Sequence, residues 1–280
     1  MKYQVLLIDG SYLAHRSFSA PYKLTTSTGL NSLMIHSFLT SLRSLYEKYK
    51  PEIVAVAWES HGTPSWRREL CPEYKPPKTN ASEYINLLPD LKMMLQLLKI
   101  RQYYAPRNEA DDTIATLTAR TSKSVLIFTV DKDIMQIVSD EEPHHILCQK
   151  KIFNYSQVTD KFKVRPDQIP DFLAIVGDSS DNITGIKGIG PKKASEMLLK
   201  YDSLEFIPYH LFKNGKQDFL KASLNKKLTL LNTDANVKTL YKPGSLIAYT
   251  IEDMIDKYEL KNIKKDIDKY KEIGNERKSC

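Results

Sequence analysis

The sequence predicts an α/β protein: a mostly parallel central sheet flanked by helices, followed by a helical C-terminal part. Three observations carry this. Short apolar runs at 3–8 (YQVLLI), 53–58 (IVAVAW) and 125–130 (VLIFTV) have the length and near-continuous hydrophobicity of strands buried on both faces. Between the first two runs, Ile35, Phe38, Leu42, Leu45 and Tyr49 repeat at the spacing of an amphipathic helix. After about Tyr155 the pattern is helical alone. The expected division is an α/β domain over 1–155 and a helical unit over 156–280 with a charged tail.

The first strand ends at Asp9-Gly10, and residues 31–50 form the amphipathic helix. Glu59 ends the second strand. Residues 61–90 are polar and proline-bearing, with Trp66-Arg67-Arg68 and Tyr74-Lys75-Pro76-Pro77-Lys78 interrupting any long period. Such a segment in a compact domain is usually functional or disordered. Helices are expected over 91–98 and over 108–120 (NEADDTIATLTAR), the latter with Asn108 as N-cap and acids in its first turn. The third strand runs into Asp131-Lys132-Asp133, and 144–148 is a weaker fourth. Further short helices fall around 170–176 and 192–201, and 252–280 reads as a solvated helix and frayed tail. Trp58 and Trp66 read as packing residues, and His144-His145 as surface or strand edge.

Lys and Arg number 41 against 34 Asp and Glu, a net charge of +7 over 280 residues. If nine carboxylates are committed to cations, the remaining surface carries about +16, a charge suited to nucleic acid. A solvated basic surface with no such partner accounts for the charge equally well. Cys71, Cys148 and Cys280 are widely spaced, with neither a disulfide framework nor zinc-ligand spacing, which fits a reducing compartment. No apolar run is long enough to cross a membrane or to serve as a signal peptide, so the expectation is a cytoplasmic protein, by default a monomer.

The chemistry-bearing residues gather at one edge. Asp9, Glu59, Asp131 and Asp133 fall at or just after the carboxyl ends of strands, where ligands sit in an open parallel sheet. Glu109, Asp111 and Asp112 open a helix from the same edge, and Asp178 and Asp181 lie one helical turn apart in GDSSDN. Nine acids at one edge repel one another unless cations neutralise them. Oxygen ligands without His or Cys favour Mg²⁺ or Mn²⁺, and two such ions suit in-line displacement at phosphorus. The following residues, Gly185 to Lys193 (GIKGIGPKK), read as a hairpin opening a helix. Its glycines, free N–H groups and lysines would grip a phosphodiester backbone without regard to sequence.

In that order, the motifs are Asp9-Gly10-Ser11-Tyr12, Trp66-Arg67-Arg68-Glu69 with Tyr74-Lys75, Glu109-Ala110-Asp111-Asp112, Thr129 to Asp133, and Gly177-Asp178 with Ser180-Asp181-Asn182 running into Gly185 to Lys193. The chain resembles the 5′ nuclease (flap endonuclease) family, represented by the 5′-3′ exonuclease domain of bacterial DNA polymerase I and by stand-alone bacterial and phage 5′-3′ exonucleases. The resemblance implies a PIN-like sheet, a helical arch at about 61–90 and a helix-hairpin-helix over 177–201 within a DNA-binding subdomain. It implies a two-metal nuclease acting near the 5′ ends of flapped, nicked or branched duplex DNA, or of RNA–DNA hybrids, in replication and repair, including RNA-primer removal. A polymerase partner would be a separate chain. By residue, it implies one metal site at Asp9, Glu109, Asp111 and Asp131 and a second at Asp133, Asp178 and Asp181, with Asp112 between them. Lys75 and Arg67 would meet the scissile phosphate, and Tyr74 would stack an unpaired base. Arg16 would lie near the active site. Lys187, Gly188, Gly190, Lys192 and Lys193 would hold the duplex, with a K⁺ ion at the hairpin.

The sequence departs from the family at one point. Family members carry Asp at the end of the second strand, where this chain has Trp58-Glu59-Ser60. Either Glu59 replaces the Asp after a one-residue insertion, or Ser60 takes the position and a carboxylate is lost. Glu59 is preferred because its longer side chain still reaches a metal. A catalytically weak DNA-junction binder is the alternative if that position impairs the metal site.

Overall fold

Apolar runs with no polar face become the buried strands of one sheet. In the computed structural model, which describes residues 2–60, 64–75, 82–241 and 249–275, strands β1 (Val5–Asp9), β2 (Ile53–Trp58), β3 (Arg101–Tyr104), β4 (Val125–Phe128) and β5 (His144–Cys148) pair in parallel. Strand β6 (Lys151–Phe153) closes one edge antiparallel, β7 (Gly177–Asp178) and β8 (Ile183–Thr184) form a separate ladder, and β9 (Lys238–Thr239) closes the other edge. The order is β6-β5-β4-β1-β2-β3-β9. The direction of winding therefore changes on either side of β1, which opens a crevice at the carboxyl end of that strand.

The helices are α1 (Gly10–Phe18), α2 (Leu33–Tyr49), α3 (Trp66–Leu70), α4 (Ser82–Leu97), α5 (Ala110–Ala119), α6 (Tyr155–Phe162), α7 (Ile169–Val176), α8 (Pro191–Tyr201), α9 (Lys216–Thr229), α10 (Ile251–Lys257), α11 (Lys261–Lys265) and α12 (Ile267–Gly274). Successive strand residues point to opposite faces. Leu6, Ile8, Val56 and Trp58 pack with Leu13, Phe38 and Leu91 of α1, α2 and α4. Leu7, Ala57 and Ile127 pack with Ile114 of α5 and with Leu173, Leu198 and Ala222 of the helical unit.

Several elements differ from expectation. β3 (RQYY) was not anticipated because its residues are only partly buried and make no apolar run. Helix α4 starts at Ser82 and passes through Pro89. One missing N–H is tolerated there because Tyr84, Leu87, Leu88 and Leu91 are buried. Glu109, not Asn108, caps α5. The lysine-rich C-terminal stretch is no frayed tail over its described part: Met254, Ile255, Tyr258, Ile263, Tyr270 and Ile273 dock it in the first core. Its lysines hid a helical apolar period. His144 and His145 are buried, since β6 pairs outside β5. His145 Nδ1 meets the Tyr3 hydroxyl at 2.8 Å and its Nε2 meets Asp140 Oδ1 at 3.0 Å. Part of the expected arch (61–63 and 76–81) and residues 276–280 lie outside the described residues.

Candidate active site

The β1 and β4 ends fold against each other through short polar contacts. Asp9 closes β1 and caps α1, its Oδ1 accepting from the Tyr12 N–H at 2.9 Å and its Oδ2 from the Thr129 hydroxyl at 3.0 Å. The Asp131 N–H donates to Thr129 Oγ1 at 3.1 Å, and Asp131 Oδ1 accepts from the Asp133 N–H at 3.0 Å. Asp9, Glu59, Glu109, Asp111 and Asp131 line a cavity of about 780 Å³, and Ser60 lines it too. Burial, with Glu59 and Asp131 nearby, pushes the Asp9 carboxyl up to about 6. Burial, then Asp131 and Asp9, raises Asp111 well above the usual range. Carboxylates held this way call for a cation.

Beside this group, Asp133, Asp178 and Asp181 are buried, each offering an oxygen within 4.8 Å of the others. Asp133 Oδ1 is buried with no hydrogen-bond partner among the described residues. Burial comes first in raising Asp133, followed by Asp131, Asp181 and Asp178. Asp181 is raised by burial, which the Lys75 ammonium partly offsets. Burial acts on Asp178 too, but Lys132 and Ser180 outweigh it and hold that carboxyl below its usual value. Three oxygen donors, one without a partner, fit a hard divalent cation.

The segment before 76 docks on this edge. Lys75 Nζ lies 2.7 Å from Glu109 Oε2 and 3.5 Å from Asp181 Oδ1, between the two acid groups. Its N–H donates to the Asp181 carbonyl at 3.0 Å, and Asn182 Nδ2 donates to the Glu73 carbonyl at 2.8 Å. Lys75 is thus held at the crevice by an acid from each group.

Three residues expected at the reacting centre are buried instead. Arg67 is 1 % exposed and turns inward to Asp112, which is fully buried. Their paired charges leave neither group facing the crevice, so Arg67 touches no phosphate and Asp112 no metal in this arrangement. Tyr74 is 2 % exposed, its hydroxyl donating to Asp181 Oδ2 at 3.0 Å, so its ring offers no face to a base. His15, stacked on Tyr84 with ring centroids 4.1 Å apart, lines the crevice together with Tyr12 and Trp58.

In the hairpin before α8, Ile186 and Ile189 are buried anchors, and the residues between and after them face outward. Lys187, Gly188, Gly190, Lys192 and Lys193 are all exposed. Gly188 has φ +86°, and beside either glycine the space for a side chain is open to 4 Å. Gly190 caps α8 without a side chain, and Pro191 takes the first turn. Helix N–H groups and two lysines thus face solvent together. Arg16 is exposed on α1.

Some residues at the site escaped the sequence reading. Thr129 and Lys132 lie inside a quoted motif, but only the fold brings them to Asp9 and to Asp178. Lys92 is buried with Nζ 4.7 Å from the Trp58 ring centre, and burial lowers it to about 8 against the pull of Glu59. Nothing in its local sequence marks it.

Residues 4–163 match the family described as 5′-3′ exonuclease, N-terminal resolvase-like domain, and residues 164–246 match 5′-3′ exonuclease, C-terminal SAM fold. A 5′-3′ exonuclease of Aquifex aeolicus is 32% identical over 275 residues, covering 94% of each chain. A thermostable DNA polymerase I of Thermus thermophilus is 35% identical over 231 residues, which is 81% of this chain and 27% of that one. Among solved structures, the flap endonuclease of bacteriophage T5, in a pseudo-enzyme-product complex with DNA and metal ions, superposes with a TM-score of 0.67 at 18% identity, covering 96% of this chain and 99% of that chain.

Proposed function

The chain belongs to the 5′-3′ exonuclease family, and from that premise we propose a divalent-metal-dependent, structure-selective 5′ nuclease that hydrolyses phosphodiesters of flapped, nicked or branched duplex DNA. The single observation that carries the metal dependence is the convergence of Asp133, Asp178 and Asp181, with Asp133 Oδ1 unpartnered, beside the acid-lined crevice. Asp9, Glu109, Asp111 and Asp131 would hold one ion and Asp133, Asp178 and Asp181 a second, with Glu59 within reach of the first group. Two Mg²⁺ or Mn²⁺ ions bound there would offset charge on the attacked phosphate and on the attacking and leaving oxygens.

The chain's own residues do the rest. Lys75 places a fixed ammonium at the crevice, where it stabilises charge developing on the transferring group. Thr129 and the backbone of 131–133 aim the strand-end acids. Lys187, Gly188, Gly190, Lys192 and Lys193 track a duplex backbone, a K⁺ ion at that hairpin being part of the same proposal, while Arg16 adds positive charge on α1. His15 offers the ring for an unpaired base. Among the described residues no helix is long and apolar enough to cross a membrane. A cytoplasmic monomer acting beside a DNA polymerase, on RNA–DNA hybrids as well as DNA, completes the proposal.

The test is cleavage of a 5′-labelled flap duplex with Mg²⁺, with EDTA, and by an Asp178→Asn/Asp181→Asn double variant, each alongside a binding assay. Metal-dependent release of a short 5′ fragment, lost in the variant while binding persists, is expected. Binding without cleavage in Mg²⁺ or Mn²⁺ would leave a junction-binding protein.

A further inference from the structure

We propose that Lys132 is a built-in counter-ion that competes with the divalent cation at the Asp133–Asp178–Asp181 site and so keeps that site the weaker of the two; the inference rests on the metal-binding role proposed above. Lys132 lies in sequence between Asp131 and Asp133, and its Nζ is 2.8 Å from Asp178 Oδ1. The Asp178 side chain is 1% exposed, so this ammonium is a close charge on a carboxylate shielded from water. Oδ1 also accepts from the Ser180 N–H at 2.9 Å and from the Ser180 hydroxyl at 2.5 Å. Asp178 Oδ1 therefore already has three donors, and a cation drawing on that oxygen must displace the Lys132 ammonium.

The charge balance points the same way. Three carboxylates converge on the site, and with the ammoniums of Lys132 at Asp178 and Lys75 at Asp181 their sum is one negative charge. Without Lys132 the sum would be two negative charges, which one divalent ion neutralises, and the ion would bind more tightly. Lys132 can yield, because its side chain is 34% exposed at the end of a flexible stem. Lys75 differs: it reaches Glu109 and Asp181 from the segment that docks on the crevice. The outcome is a threshold, in which the first site fills at low cation concentration and the second only at higher concentration.

Mn²⁺ binding to the whole chain, followed by calorimetry in the wild type and in Lys132→Ala, Lys132→Arg and Asp181→Asn variants, tests this. The wild type is expected to show two classes of site, the weaker missing in Asp181→Asn. Lys132→Ala should tighten that weaker class about tenfold, the equivalent of one ion pair no longer in competition, while Lys132→Arg stays near wild type. In EDTA, Lys132→Ala should melt at a lower temperature and recover on adding Mn²⁺, since it leaves Asp178 buried and unpaired. Unchanged or weaker Mn²⁺ binding in a folded Lys132→Ala would overturn the inference, and so would a loss of DNA affinity with metal affinity intact. If Asp181→Asn removed neither class, the metal assignment itself would fail and carry the inference with it.

Discussion

The Arg67 guanidinium and the Asp112 carboxylate close on each other as a fork, Nη1 to Oδ2 at 2.6 Å and Nη2 to Oδ1 at 2.8 Å. The remaining valences are filled as well. Arg67 donates to the carbonyls of Leu228 at 2.7 Å and Leu230 at 2.9 Å, and Asp112 accepts from the N–H groups of Asn232 at 2.9 Å and Glu109 at 3.1 Å. The pair therefore ties α3, the start of α5 and the end of α9 together. Removing one member strands the other charge, so Arg67→Ala or Asp112→Ala should cost about 3–5 kcal/mol in urea unfolding. Arg67→Met/Asp112→Leu should cost less than the two single changes together. Asp112→Asn should keep Mn²⁺ affinity once corrected for folded fraction; a drop of about tenfold or more would return Asp112 to the metal set.

Gly190 separates folding from binding. Its φ of -90° and ψ of 179° suit any residue, and nothing lies within 4 Å of where a Cβ would stand. Gly190→Ala should therefore melt within about 0.5 kcal/mol of wild type. A methyl group at the helix N-terminus would nonetheless hold off a phosphate, and nicked-duplex affinity by fluorescence anisotropy should fall by about fivefold or more. Equal affinity in the two proteins would remove this turn from the DNA interface.

The strand-end acids were legible in the sequence because a strand's apolar run marks its own end. Asp9 and Asp131 were placed that way, and the hairpin by its glycines and lysines. Side-chain direction was not legible. Arg67 and Lys75 look alike as basic residues in a polar segment, but one turns into the core and the other to the crevice, because only Arg67 lies opposite an acid already enclosed by α5 and α9. β3 was missed for a related reason: a sheet can take in a polar strand when Gln102 and Trp58 hydrogen-bond across it at 3.0 Å.

Asn182 couples the hairpin side of the site to Lys75. It sits at φ +59°, a left-handed position that Asn tolerates, and its amide donates to the Glu73 carbonyl at 2.8 Å. Asn182→Gly keeps that backbone conformation and removes only the bond. It should lower kcat on a flap substrate by about tenfold with KM little changed, since the duplex grip is intact while the ammonium is less well fixed. A higher KM at unchanged kcat would make Asn182 a binding residue instead.

Stability should respond to pH in opposite ways with and without cation. Asp9, Asp111, Asp133 and Asp181 are all raised, burial being the first cause in each, and Asp9 moves from 3.8 to about 6. A raised carboxyl favours the fold in its neutral form. Its contribution is complete below the unfolded value and is lost as pH climbs through the folded one. Asp178, held low by Lys132 and Ser180 against its burial, works the other way, as do Glu205, Asp218, Asp253, Glu259 and Asp266 away from the site, so the site's own part is read as the difference between wild type and an Asp9→Asn/Asp111→Asn variant. In EDTA the melting temperature of the wild type relative to that variant should therefore fall as pH rises from about 4 through 6 and beyond. Divalent cations need the charged carboxylates, so they should raise the melting temperature little near pH 5 and, near pH 7.5, by on the order of 5 °C more. Binding near pH 6 should also release protons, visible when calorimetry is repeated in buffers of different ionisation heat. A Mg²⁺ stabilisation that did not change with pH would mean that these carboxylates are already charged before the cation arrives.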